Sequence, residues 1–169
     1  SENIGAYTSS ARDWDNIAFQ NRKLLIVGSA GNDGTTTYEG GMLPNYDKLT
    51  GTKTAKNNLV VANANPSFNP LTQELTGFPI NSGSSKGPTD DLRIKPDISG
   101  DGTNVFSSIT NNDYDNYSGT SMAAPNVCGS LVLVHEHYVN ITNELPNAET
   151  IKAIACHTAQ DDSETIGPD

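Results

Sequence analysis

Seven residues, Gly119 to Pro125 (GTSMAAP), open a strongly apolar segment that reads as one helix from Thr120 to about Val139. No other stretch restricts the fold as much. A flexible Gly-Thr pair delivers Ser121 to the mouth of that helix, and the small Ala123 and Ala124 keep its surroundings uncrowded. Pro125 is expected in the first turn, where its missing N–H is not needed. A serine held this way exposes its hydroxyl beside free helix N–H groups and the positive end of the helix dipole. Such a place suits a nucleophile and the stabilisation of an oxyanion. The alternative is an N-cap serine that satisfies helix N–H groups and does nothing more.

The remaining pattern alternates strands and helices, which points to α/β layering. Ser10 could cap a first helix, with Ala11, Trp14, Ile17 and Ala18 on one face. Leu24 to Val27 is continuously apolar, the sign of a strand covered on both faces of a parallel sheet. A loop rich in Gly, Thr and Tyr then runs from Asn32 to about Asn58, and Leu59 to Ala64 is the next buried strand. Residues 65–96 are rich in Pro, Gly and Ser, with weak strand character at Phe78 to Ile80. Val105 to Ile109 reads as a short strand, and NNDYDN as a polar turn before the serine helix. Asn147 caps a last helix that ends near Ala159.

Charge and composition exclude several functions. Ten basic residues against 20 acidic ones give a formal charge of -10, the wrong balance for a nucleic-acid partner. No apolar run approaches the ~18 residues that span a bilayer. Cys128 and Cys156 sit in apolar helical patterns and read as buried free thiols rather than as a disulfide. Gly28, Gly31 and Gly34 follow a strand but lack the spacing and the following helix of a phosphate cradle. Asn111, Asp113 and Asp115 resemble the start of a calcium-binding loop, yet Asn116 and Met122 stand where that loop requires Gly and Glu. There is no zinc spacing, and no cofactor or metal is expected from these patterns. His135 and His137 lie roughly 20 Å along the helix axis from Ser121 at ~1.5 Å per residue, too far to act as its base. His157 falls in the last helix pattern and has a structural reading.

GTSMAAP resembles the active-site serine motif of the subtilisin-like serine proteases, and three further segments extend the resemblance in family order. KLLIVGSAGNDG (Lys23 to Gly34) is similar to the strand and loop that carry the oxyanion-hole asparagine, here Asn32. SSKGPTDDLRIKPDISGDGTNVFSS (Ser84 to Ser108) is similar to the segment leading to the active-site loop, and ETIKAIACHTA (Glu149 to Ala159) to the helix after the serine helix. Position 126 is Asn where the family usually has a histidine that is not a triad member.

The resemblance implies a three-layer α/β/α fold with a mostly parallel sheet, incomplete at both ends. It also implies serine endopeptidase activity through an acyl-enzyme, with Ser121 as nucleophile. Asn32 would donate its side-chain amide to the oxyanion beside the Ser121 N–H; Asn before Asp-Gly is also ordinary turn chemistry. Ser29, Ala30 and Gly31 would form one wall of the primary specificity pocket, although small residues also suit a buried strand end. Many relatives bind calcium, but no ligand set is legible here.

The family's aspartate and histidine should lie upstream of Asn32, where this chain has no histidine. Residues 1–169 are therefore expected to be the C-terminal portion of a single catalytic domain, an internal piece of it to judge from Ser1 and the final IGPD. An N-terminal half would supply Asp and His, a peptide or protein would be the substrate, and the protein would be secreted or on the cell surface. A non-catalytic binding or structural module of the same family is the alternative.

Overall fold

The strand Leu59–Ala64 is buried at every residue, as an apolar run without alternation requires. It is the middle of a three-stranded parallel sheet. A computed structural model describes residues 3–37 and 46–161. In chain order the elements are α1 (Ser9–Gln20), β1 (Val27–Ser29), a 3-10 turn (Gly51–Thr54), β2 (Leu59–Ala64), β3 (Ser67–Phe68), β4 (Leu75–Gly77), β5 (Ile98–Asp101), β6 (Val105–Ile109), β7 (Asp113–Tyr117), α2 (Thr120–Thr142) and α3 (Ala148–Thr158). The sheet order is β1-β2-β5, with Val27 opposite Leu59 and Val61 opposite Ile98.

Because side chains alternate across a strand, Leu59 and Val61 face one side and Val60 the other. Leu59 and Val61 pack with Ala123, Ala124, Val127 and Leu131 of α2 and with Ile151 and Ala155 of α3. Val60 joins Ala30 and Leu49 in a smaller cluster. Each Val, Leu or Ile among them contributes about 1.5–3 kcal/mol when fully buried. Glycine lets α2 approach β5 closely. A Cβ on Gly100 would stand 2.5 Å from Val127 Cγ2, and one on Gly102 only 2.6 Å from the Gly119 carbonyl oxygen.

Charge fastens the opposite ends of the same strands. The Asp97 carboxylate, just before β5, accepts hydrogen bonds from the Val60 N–H (2.7 Å) and Lys95 Nζ (2.6 Å) and pairs with the Lys152 ammonium (2.9 Å). Lys95 Nζ also donates to Asn58 Oδ1 (3.0 Å), and Lys152 Nζ to the Asn58 carbonyl (2.7 Å). Burial pulls the Lys95 pKa down to about 8, against the pull of Asp97 in the other direction. Cys156 is exposed as a residue, but its thiol lies against this cluster, where partial desolvation first and Asp97 second raise its pKa.

Several expectations change. The helix α1 is capped by Thr8, whose hydroxyl accepts from the Ala11 N–H (3.4 Å), and not by Ser10. Its buried face is Ala11, Asp15 and Ala18 while Ile17 is exposed. Asp15 can turn inward because it accepts from the Asn57 N–H (2.7 Å), the Lys56 N–H (2.9 Å) and the Tyr7 hydroxyl (2.7 Å). β1 starts only at Val27, since Leu24 still closes a turn onto the Asn21 carbonyl, and it is half-buried rather than covered on both faces. The loop after Asn32 contains the 3-10 turn, and its residues 38–45 lie outside the described residues.

In the 65–96 region the strands are β3 and β4, and Ile80 makes one bridge to Ala64. NNDYDN is not a turn throughout. Asn111 and Asn112 turn in the left-handed region, and Asp113 onward forms β7 against β6. The serine helix runs on to Thr142, and both cysteines are exposed. Asn147 precedes α3 as expected. Among the described residues no helix is long and apolar enough to cross a membrane.

Candidate active site

The C-terminal end of β1 and the N-terminal end of α2 meet at Asn32 and Thr120. β1 ends at Ser29, and the chain turns sharply at Gly31, whose φ of +111° strains any side chain. The Gly31 N–H donates to Thr120 Oγ1 (3.1 Å), and the Thr120 hydroxyl donates in turn to Asn32 Oδ1 (3.1 Å). The Thr120 N–H donates to the same Asn32 oxygen (3.0 Å). Both bonds use the carbonyl side of the amide, so its orientation is fixed with Nδ2 on the other side.

Buried Ser85 holds the loop from below on both flanks of Asn32. Its N–H donates to the Gly31 carbonyl (2.9 Å), and its Oγ accepts from the Asp33 N–H (3.0 Å). Asn32 is thereby fixed at backbone and side chain while remaining exposed.

The first amides of α2 have different partners. The Gly119 N–H donates to the Gly102 carbonyl (2.8 Å) and the Thr120 N–H to Asn32. Among the described residues the Ser121 N–H has no protein acceptor, and neither has Asn32 Nδ2. Ser121 is exposed at the second position of the helix. Two free donors and a hydroxyl thus lie at one helix mouth, the arrangement that stabilises a developing oxyanion.

Pro125 does not fall in the first turn. It lies inside α2, one turn beyond Ser121, so the Ser121 carbonyl loses the N–H that would otherwise close on it.

Of the residues singled out in the sequence, Ser29, Ala30 and Gly31 form the end of β1 and the turn that leads to Asn32, with Ala30 fully buried. His135 and His137 lie further along α2 and His157 on α3, and among the described residues no hydrogen bond joins Ser121 to a histidine. Asp113 and Asp115 belong to strand β7, and no group of three metal-ligating side chains occurs among the described residues. Thr120 and Ser85 escaped sequence reasoning. In the sequence Thr120 reads only as half of a flexible Gly-Thr pair, and a serine such as Ser85 gives no local signal of a long-range bond.

Comparison with known proteins identifies the family and the fold. The model of the subtilase family matches residues 1–168. The C5a peptidase of Streptococcus pyogenes serotype M18 is 36% identical over 103 residues, which are 57% of this chain and 9% of that protein. A PII-type proteinase of Lactococcus lactis subsp. cremoris is 41% identical over 71 residues, 42% of this chain and 4% of that protein. Among solved structures, the patellamide maturation protease PatA superposes with TM-score 0.68 at 21% identity, covering 96% of this chain and 51% of that one. Sphericase gives 0.63 at 22%, covering 90% and 44%. The chain therefore spans under a tenth of these curated relatives and about half of these structures; at such identities the structures speak for the α/β fold alone.

Proposed function

Since the chain belongs to the subtilase family, we propose that it is the part of a serine endopeptidase that carries the nucleophile, Ser121, and the oxyanion asparagine, Asn32. Residues 1–169 would be the C-terminal portion of a single catalytic domain in a secreted or cell-surface protein. The observation that carries this reading is the Thr120–Asn32 pair. By occupying Oδ1 twice it leaves Nδ2 and the Ser121 N–H as the two unspent donors beside the Ser121 hydroxyl. Ser121 gives its proton to a base as its Oγ attacks a peptide carbonyl, and the oxyanion takes those donors. The C–N bond breaks with that proton passing to the leaving amine, and water hydrolyses the resulting acyl-enzyme.

A serine hydroxyl needs a base, and the resemblance assigns that histidine, with its aspartate, to an N-terminal half. The exposed side of α2 offers a surface for it. Val132 and Leu133 are 62% and 66% exposed on a helix that is apolar over most of its circumference, the composition of a helix buried on all sides. β1 ends the sheet with one edge unpaired among the described residues, and such an edge accepts a further strand. The segment alone is expected to have no triad turnover.

The test is peptide hydrolysis by the complete polypeptide beside its Ser121→Ala variant. Turnover lost in the variant supports the reading. An intact, folded polypeptide without turnover would favour the non-catalytic module.

A further inference from the structure

The turn at Gly31 is built over a cation. On the side where any other residue would carry its side chain, a Cβ would stand 2.9 Å from Ser85 Oγ and 3.5 Å from Lys53 Nζ. Lys53 is placed there by the 3-10 turn Gly51–Thr54. That turn is anchored by the fully buried Thr54, whose hydroxyl bridges the Ala6 and Gly51 carbonyls at 2.9 Å each.

The ammonium has three protons to donate. Its one hydrogen bond among the described residues is a long 3.4 Å contact to Thr50 Oγ1, and no described carboxylate lies within ion-pair distance of it. The lysine nearby, Lys48, is committed to the Gly34 carbonyl (2.5 Å). Asp33, on the far flank of Asn32, has its N–H held by Ser85 and forms no ion pair with Lys53. A half-buried cation with unused donors therefore underlies the very glycine proposed as the pocket wall.

We propose that Lys53 determines substrate class, favouring peptides in which Asp or Glu contributes the carbonyl that Ser121 attacks. This rests on the protease reading. A carboxylate running along Ser29–Gly31 meets the Lys53 ammonium, and a Lys or Arg side chain meets a like charge, which disfavours it.

The test uses the complete polypeptide and three matched peptides with Glu, Gln or Lys at the cleaved residue, at low salt. Glu should exceed Lys in kcat/KM by about tenfold or more. Lys53→Arg should keep the preference, Lys53→Met should level it and Lys53→Glu should invert it. Equal rates for Glu and Lys peptides, or a Glu preference that persists in Lys53→Met, would overturn the proposal. Failure of the protease reading shows separately, as absence of a fluorophosphonate adduct on Ser121. In that event fluorescence polarisation with the same three peptides decides: Lys53-dependent binding of the Glu peptide supports the assignment, and equal binding of all three overturns it.

Discussion

The two ends of one parallel sheet are built on opposite principles. At the C-terminal ends of the strands neutral hydrogen bonds join Gly31, Asn32 and Thr120 to one another and Gly102 to Gly119, and two donors are left over. At the N-terminal ends, Asn58, Lys95, Asp97 and Lys152 form a charged cluster in which Asp97 is engaged at both oxygens and Lys95 is 3% exposed. The first end is exposed at Asn32 and Ser121, and the second is buried at Asn58 and Lys95 and half-buried at Asp97 and Lys152. A site that must receive a developing negative charge keeps its donors unspent and free of competing carboxylates. A scaffold joint uses every donor, because an unpaired buried charge is costly. The strands thus separate holding from reacting.

Removing the acceptor at the buried end should have the largest effect. Asp97→Ala leaves Lys95 and Lys152 without their shared carboxylate and should cost about 3–5 kcal/mol in denaturant unfolding. A loss below about 1 kcal/mol would mean that the cluster is not a joint. At the exposed end the sign of the contrast reverses. Asn32→Ala should lower kcat by ~10²–10³, or roughly 2.7–4 kcal/mol, a cost measured in a subtilisin for one such donor. Asn32 is itself exposed, but the buried Thr120 N–H and hydroxyl lose their acceptor, so stability should fall by about 1–3 kcal/mol, less than in Asp97→Ala. A stability loss as large as that of Asp97→Ala would erase the distinction between the two ends.

Titration gives the next effect. Lys95 has a folded pKa of about 8 against 10.5 when free. Between those values the unfolded chain holds the proton more tightly than the folded one, so stability should rise with pH across that window, by up to about 3 kcal/mol. Below pH 8 the burial penalty is present in full. Unfolding measured from pH 7 to 10.5 should show this slope in the wild type and not in Lys95→Met; the same slope in both would remove Lys95 from the account.

The smallest effect expected is on orientation. Thr120→Val removes the hydroxyl that fixes Asn32 and should lower kcat about tenfold, while Thr120→Ser should largely restore it. In an Asn32→Ala background the valine should cost little more, since residues acting through one group are not additive. Full additivity would mean that Thr120 acts by another route.

What the sequence made legible follows from this division. Leu59–Ala64, Ala148–Thr158 and the start of the serine helix are readable because local apolar patterns specify them; Asn147 stands at the N-cap position of the last helix without a side-chain capping bond. β7 is exposed at all five residues and reads as polar turn, because its partner strand and not a buried face defines it. β5 (ISGD) carries glycine where α2 approaches, so the packing that makes it a strand removes the pattern that would reveal it. An apolar helix pattern implies burial for both cysteines, whereas Cys128 lies on the uncovered side of α2. Ser121 and Asn32 were recognised from motif strings. The bonds joining Thr120 to Asn32, and Ser85 to the residues on either side of it, cross long stretches of chain, and no local pattern records them.

The most direct measurement is fluorophosphonate labelling of the complete polypeptide, followed by intact mass and peptide mapping. The account predicts one adduct per molecule, on Ser121, formed much more slowly in Asn32→Ala. An adduct on another residue, or a folded polypeptide that takes up no label, would contradict it.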